Sequence, residues 1–434
     1  MKILCINPPS VPSYFNAGHH LPVFLVAAYL RQRGNEVDAH DFGALNGTWR
    51  DVCGLLVKGY DAIAIMNDYD GVDGLERFLN YVKELSPNSK TITFGRGSHQ
   101  VPRFFERFGF DSIAYSGDYE SAVSAYIEHL QTGGPAPGTL LKTLTGYSAQ
   151  DIGRWLEPQE WSLPDIKDIP YSAYERLYLD DLNKFCGIPL RSELVVPVAR
   201  GCPIGCAFCD VPAQQGLRER RLPVARVLEY INACYATRPF DYVSIYAPTF
   251  TLKRQWVLDY CSALSKQADI KWKCVTTVSH LDEELITCMA AAGCFRVSVG
   301  VETTTPAAVD TLPAAKRRGN ARLTEVADWC KTAGIELNCF VMIGMPGESI
   351  VEAAAGIAHL LSEGHRVRPT VYTPYDRMSQ NMTLQEYAMF NRQLMCHSGV
   401  DMPERTQGYS LLYANSLDRA TQVMHRIPIR KSST

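Results

Sequence analysis

Two runs of alternating strand and helix patterns, separated by a stretch rich in Gly and Pro, predict an α/β protein with two successive parallel sheets. In the first run, over residues 1–132, strand patterns at Ile3–Ile6, Glu36–His40, Ala62–Met66, Thr91–Phe94 and Ser112–Tyr115 alternate with helical ones. That order reads as a doubly wound parallel sheet. The second run starts at Ser192 and holds six strand–helix units to residue 375. Six units make an incomplete version of the eight-unit barrel, a partial (β/α)6 barrel.

The helical patterns of the first run share faces at 3.6-residue spacing. Leu21–Arg33 ends at Gly34; Val72, Leu75, Leu79 and Val82 form a second face; Val123, Tyr126, Ile127 and Leu130 form a third. In a doubly wound sheet, ligands bind beyond the carboxyl ends of the strands. The informative loops are therefore Asn7-Pro8-Pro9-Ser10, Gly95-Arg96-Gly97-Ser98-His99 and Gly117-Asp118-Tyr119-Glu120. From residue 133 to 191 periodicity fades. Gly133 to Gly138 has linker composition, and Leu163-Pro164 to Ile169-Pro170 reads as irregular chain between two domains. The barrel strands are Glu193–Val198, Tyr242–Tyr246, Lys271–Val275, Arg296–Val301, Glu336–Ile343 and Arg368–Tyr372. The short extension, 376–434, reads as mostly helical, with Leu384–Met395 as one helix.

The chain has 434 residues, 46% hydrophobic and 21% charged, with a net charge of −3. These values fit a globular protein and argue against a nucleic-acid footprint, because no run of Lys or Arg is long enough to line one. No apolar run reaches the length of a membrane span, and the first residues lack a signal-peptide pattern. The chain reads as cytoplasmic, so its 14 cysteines are expected to be thiols and metal ligands rather than disulfides.

Three of them stand together. Cys202-Pro203-Ile204-Gly205-Cys206-Ala207-Phe208-Cys209 spaces its sulfurs C-x₃-C-x₂-C in a loop that Gly201, Pro203 and Gly205 keep free of helix or strand. The loop follows the first barrel strand, so it belongs at the barrel's carboxyl mouth. Thiolates suit iron–sulfur clusters and zinc. A structural zinc site wants four ligands, and Asp210 or a distant Cys or His is the alternative fourth. Three ligands without a fourth leave one position open for chemistry.

This loop resembles the cluster loop of radical S-adenosylmethionine (SAM) enzymes. The first 130 residues resemble the cobalamin-binding domain that precedes the barrel in the cobalamin-dependent branch of that family. The matching pieces run in order: Asn7-Pro8-Pro9; Ala27-Ala28-Tyr29-Leu30-Arg31 with Gly34-Asn35-Glu36-Val37; Val82-Lys83 with Ser86-Pro87; a glycine pair with His99; and Gly117 with Glu120. The chain has Gly95-Arg96-Gly97 where the family has Gly-Gly, and Gly117-Asp118-Tyr119-Glu120 where it has Gly-Glu-Gly-Glu. Asp38 to Gly43 spells the D-x-H-x-x-G of classical corrinoid proteins, but after the second strand rather than the first, so His40 is read as a strand-end histidine.

The resemblance implies a Rossmann-like domain, a TIM-type partial barrel, and three cofactors: a 4Fe–4S cluster, SAM and cobalamin. It implies Cys202, Cys206 and Cys209 as cluster ligands. It places SAM against Phe208, Ala247, Thr249, Glu302, Ile343, Gly344 and Tyr372, and cobalamin against Asn7, Pro8, Pro9, Ser10, Gly95, Gly97, Ser98 and Gly117. Of Arg218, Arg220 and Arg221, one is expected to pair with the SAM carboxylate and the others to form a solvated turn. No acid or base stands out, and radical hydrogen abstraction needs none. The implied partners are a small-molecule substrate and a one-electron donor of the flavodoxin or ferredoxin type, with no nucleic acid and no membrane. The implied reaction is methylation of an unactivated carbon of a small metabolite. A cyclisation or rearrangement without net methylation, and a radical SAM enzyme whose first domain no longer binds cobalamin, are the alternatives. A metal-site sensor is the non-enzyme alternative, and it predicts indifference to SAM.

Overall fold

The computed structural model describes residues 1–9, 21–43, 47–69, 71–72, 74–180, 192–267, 269–388 and 390. Ser10 and most of the extension lie outside them. The chain divides into two compact units. The first comprises Met1–Leu177, Cys209–Gly216 and Pro374–Gln393; the second comprises Tyr178–Phe208, Leu217–Thr373 and Leu394–Thr434.

The first unit holds β1 (Lys2–Asn7), β2 (Glu36–Asp41), β3 (Ala62–Asn67), β4 (Lys90–Gly95), β5 (Ser112–Ala114), β6 (Thr139–Thr143) and β7 (Gly146–Ala149). They form one sheet in the order β2-β1-β3-β4-β5-β6-β7. The first five are parallel, and β6 and β7 add on antiparallel. Parallel strands covered on both faces read as continuous apolar runs, and β3 is buried at all six positions. Alternate side chains feed two cores. Leu4, Ile6, Ile63 and Ile65 pack with the helices Trp49–Leu56 and Gly74–Leu85, and Ile3, Cys5, Ala62 and Ala64 pack with Leu21–Arg31 and Tyr119–Thr132. The two strands β6 and β7 occupy part of the stretch read as linker. Their outer residues are exposed, which removes the apolar run that marks a strand in sequence. The extension's described residues include the helix Leu384–Ala388; the rest of the expected span to Met395, Phe390 excepted, lies outside the described residues. Tyr387 from that helix is fully buried, stacked 4.4 Å from Phe104.

The second unit holds β8 (Glu193–Pro197), the short pair β9 (Ala199–Arg200) and β10 (Arg220–Arg221), then β11 (Tyr242–Tyr246), β12 (Trp272–Thr276), β13 (Cys294–Glu302), β14 (Glu336–Ile343) and β15 (Arg366–Val371). Its main sheet is parallel and runs β15-β14-β13-β12-β11-β8, so consecutive strands are neighbours and β8 and β15 are its edges. That is the six-unit partial barrel. Arg220 and Arg221 are buried in the antiparallel pair with β9 rather than solvated. Arg221 donates to the carbonyls of Phe250 (2.8 Å) and Thr249 (3.2 Å) and pairs with Glu219, so it fixes the chain leaving β11.

Candidate active site

The cysteine loop leaves the β9 strand that follows β8, at the carboxyl end of the barrel's first strand. Gly201 (φ 83°) and Gly205 (φ 71°) take left-handed backbone that other residues avoid, which lets the loop curl. Cys202 and Cys206 lie in the second unit; the chain passes into the first unit's segment at Cys209. None of the three is in a disulfide, and all are half-buried. Burial pushes the Cys206 thiol up to about 11, with the Lys316 charge opposing it. The Cys202 sulfur lies 3.7 Å from the Thr249 hydroxyl. Among the described residues no three His, Cys, Asp or Glu side chains converge on a point that would hold a single ion. A four-iron cluster instead takes its thiolates on separate irons. The loop's donor set, three soft thiols with no imidazole among them, fits such a cluster.

Several expected SAM residues share this mouth. Ala247 and Thr249 are buried at the end of β11. Phe208 and Tyr372 pack against one apolar cluster with Ala308, Leu312, Met342 and Met345. Ile343 ends β14, and Gly344 follows with φ 81°. Glu302 ends β13 just past a register shift between Gly300 and Glu302. Such a bulge re-aims a side chain. Glu302 is the one described non-glycine residue with positive φ, 68°, and it is 8% exposed. Its carboxylate accepts from Lys316 Nζ at 2.5 Å, and Lys316 also donates to the Gly300 carbonyl at 3.1 Å. A Cβ at Gly300 would sit 2.2 Å from the Glu302 carboxylate and 2.4 Å from the ammonium, so a larger residue there would push the pair aside. Glu348 stitches the neighbouring turn: it accepts from the Gly344 and Met345 amides (3.2 and 3.4 Å) and from the Thr303 and Thr305 hydroxyls.

Sequence reasoning missed Lys316 and the stitching role of Glu348. Lys316-Arg317-Arg318 looks like a solvated helix face, and the bulge that turns Glu302 toward it leaves no mark in the residue pattern.

In the first unit the expected cobalamin residues share the carboxyl edge of the sheet. Asn7, Pro8 and Pro9 end β1, Gly95 ends β4, Gly97 and Ser98 open the helix Arg96–Gln100, and Gly117 precedes Tyr119–Thr132. The sheet order makes β1/β3 the topological switch point, where such sheets bind ligands. A cleft opens there, lined by Asn7, Pro8, Asn67 and Asp68. The β4 side of the edge is occupied by the chain itself. A Cβ at Gly97 would lie 2.0 Å from the Tyr387 hydroxyl, and one at Gly117 would lie 2.6–2.8 Å from the Gly153–Arg154 backbone. The Ser98 amide donates to Asn67 at 2.9 Å.

Arg96 anchors this side. Its guanidinium donates to Asp210 at 2.6 and 3.0 Å, lies 3.5 Å from Asp68, and sits 4.7 Å above the Tyr69 ring. Asp210 directly follows Cys209, so the ion pair fixes the chain next to the third thiol. His99 is buried edge-on to Tyr119, with ring centroids 4.7 Å apart, and faces the Ala213 backbone without a well-formed hydrogen bond. Burial lowers its imidazole to about 4.

Residues 196–357 match the Radical SAM superfamily, and this match covers the cysteine loop and the strands through β14. With the barrel and the three-thiol loop, this gives the chain the domain of a radical SAM enzyme, the kind that works with a 4Fe–4S cluster and SAM. Over 407 residues the chain is 28% identical to an uncharacterised methyltransferase of Pyrococcus horikoshii, covering 91% of this chain and 84% of that protein. It shares its fold with the radical SAM methyltransferase TsrM of Kitasatospora setae, solved with tryptophan and a SAM analogue (TM-score 0.70, 16% identity, 96% of this chain and 89% of that one). The cobalamin-dependent radical SAM enzyme OxsB, solved with aqua-cobalamin, gives a TM-score of 0.67 at 15% identity, over 98% of this chain and 62% of that one. The chain is therefore methyltransferase-like within the radical SAM enzymes. No described helix is long and apolar enough to cross a membrane.

Proposed function

We propose that this chain is a cobalamin-dependent radical SAM methyltransferase acting on a carbon of a small organic molecule in the cytoplasm. A flavodoxin- or ferredoxin-type protein serves as its electron donor. The observation that carries the reading is the pairing, in one chain, of a three-thiol loop at a barrel mouth with a doubly wound sheet whose β1/β3 switch point opens into a cleft. When bound, the cluster supplies the electron that splits the sulfonium of SAM, and the corrinoid carries the methyl group.

This chain's own residues do the rest. Cys202, Cys206 and Cys209 hold the cluster. Glu302, held in place by Lys316, offers carboxylate oxygens to ribose hydroxyls or an ammonium at the mouth. Gly344, with no side chain and positive φ, leaves room for a planar ring against the backbone, and Glu348 holds that turn still. Phe208 and Tyr372 keep the mouth apolar and exclude water. Asn7 and Pro8, at the β1/β3 switch point, would lie beside the corrinoid.

One observation favours a second reading, a radical SAM enzyme whose first unit takes no corrinoid. The Gly95–Ser98 turn is covered by Tyr387, and Arg96 is committed to Asp68 and Asp210. Anaerobic reconstitution with iron, sulfide and hydroxocobalamin, followed by desalting, separates the two: a retained corrinoid absorption band supports the first reading, and its loss supports the second. With substrate in hand, a product heavier by one CH₂ unit separates methylation from rearrangement.

A further inference from the structure

The strand register of the second unit's sheet sets the side chains of one face in levels. The lowest level holds Ser244, Lys273, Arg296 and Glu336. The next holds Val275, Ser298 and Asn338, and the uppermost holds Gly300, Phe340 and Arg368. A closed barrel packs bulky Val, Ile and Leu on each level. Here β13 offers only Ser298 and then Gly300, so its side chains shrink toward the mouth. A cavity of about 440 Å³ is left, with Ser244, Val275, Ser298, Asn338 and Phe340 in its wall. That volume suits a small organic molecule. The uppermost level lies close to the mouth, because Gly300 precedes Glu302 by two residues, about 7 Å along the strand.

The charged groups around this cavity ask for no counter-ion. Lys273 pairs with Glu193 at 3.1 Å, and Arg296 with Glu336 at 2.5 Å. Arg366 and Arg368 are engaged as well, Arg368 over the Phe340 ring at 5.2 Å. The group left unmet is neutral. Asn338 is 4% exposed; its amide nitrogen donates to the Ser298 hydroxyl at 3.0 Å, and its amide oxygen, buried at the cavity wall, has no hydrogen-bond partner among the described residues. A buried acceptor without a donor is costly, and what this one lacks is an N–H or O–H. A ligand cation could supply one, but it would be crowded among Lys273, Arg296, Arg366 and Arg368. Val275 and Phe340, both only partly buried, add apolar wall on either side of β13. A lone water would satisfy the oxygen and leave that wall wet.

We propose that this cavity receives the body of the enzyme's substrate, and that the substrate is an uncharged, flat, mostly apolar molecule with an N–H or O–H that Asn338 accepts. Its ring lies against Val275 and Phe340. Ser298 takes the amide nitrogen of Asn338, so the oxygen is the end presented to the ligand. The other end of the molecule then lies level with Gly300, next to the mouth. The inference rests on the reading of that mouth as the SAM site and adds to it the chemical class of the substrate.

The test is titration of the reconstituted protein with 2-naphthol and, separately, with 2-fluoronaphthalene, followed by ligand-observed nuclear magnetic resonance. The two have nearly the same shape, and only the first carries a donor. 2-Naphthol should bind saturably, and 2-fluoronaphthalene about tenfold more weakly, the loss of one buried hydrogen bond. 2-Naphthoate, which brings a negative charge, should also bind more weakly than 2-naphthol. Asn338→Leu, similar in size but without the acceptor, should erase the difference between the first two. The comparison on the wild-type protein stands even where that variant fails to fold. Equal binding of 2-naphthol and 2-fluoronaphthalene, tighter binding of 2-naphthoate, or no saturable binding of any of them (the result for a cavity that holds water only) would overturn the proposal. Deoxyadenosine release from SAM, measured on the same preparation, tests the mouth separately. Release without naphthol binding overturns the role of the cavity and keeps the reading of the mouth. Naphthol binding without release overturns that reading and, with it, the role of the cavity as a substrate pocket.

Discussion

Lys316 and Glu302 form a buried pair whose geometry depends on a strained residue and a glycine. Leaving one member of a buried pair behind strands a charge, which costs about 3–5 kcal/mol. Lys316→Met should therefore destabilise the second unit by about that much in urea unfolding, while the double variant Glu302→Gln/Lys316→Met should recover most of the loss. Equal losses in both would mean that the pair contributes nothing as a pair. His99 makes a pH prediction. Its imidazole is lowered by burial from about 6.5 to about 4, so between those values the unfolded chain binds a proton that the folded one refuses. The protein should lose stability as pH falls from about 6.5 to about 4. His99→Phe, which cannot take that proton, should flatten this part of the pH dependence measured by thermal unfolding.

The first unit's glycines divide by what lies beside them. Gly97 meets Tyr387 and Phe105 at 2.0 and 2.7 Å from a built Cβ, whereas Gly54, inside the helix Trp49–Leu56, meets nothing within 4 Å. Gly97→Ala should cost about 1–3 kcal/mol through overpacking. Gly54→Ala should stabilise by about 0.5–1 kcal/mol through helix propensity. Thermal midpoints that move in the same direction would contradict the packing described here. The same contrast explains what the residue pattern reveals. β1, β3 and β4 are legible because parallel strands buried on both faces must be apolar almost throughout, and the barrel strands because apolar residues recur at alternate positions, as with Val297, Val299 and Val301 in β13. β6 and β7 are not, since they lie at an antiparallel edge with one side in water. The cysteine loop is legible from spacing alone. The burial of Arg220 and Arg221 is not, because a basic pair after a loop looks the same whether it faces solvent or holds the backbone of Thr249 and Phe250.

Beyond single elements, Arg96 holds Asp210, the residue after Cys209, within the first unit. Asp210→Asn removes the charge and keeps the shape, so it should loosen the loop and broaden the electron paramagnetic resonance signal of the reduced cluster while iron content stays near that of the wild type. An unchanged signal would mean that Arg96 serves the first unit's stability alone. The central claim is that the three-thiol loop supports reductive cleavage of SAM, and it is tested by anaerobic release of deoxyadenosine. The protein is reconstituted with iron and sulfide, given SAM and dithionite, and compared with the Cys206→Ala variant. We predict deoxyadenosine and methionine from the wild-type protein and none from the variant. Iron-loaded wild-type protein that leaves SAM intact would contradict the account.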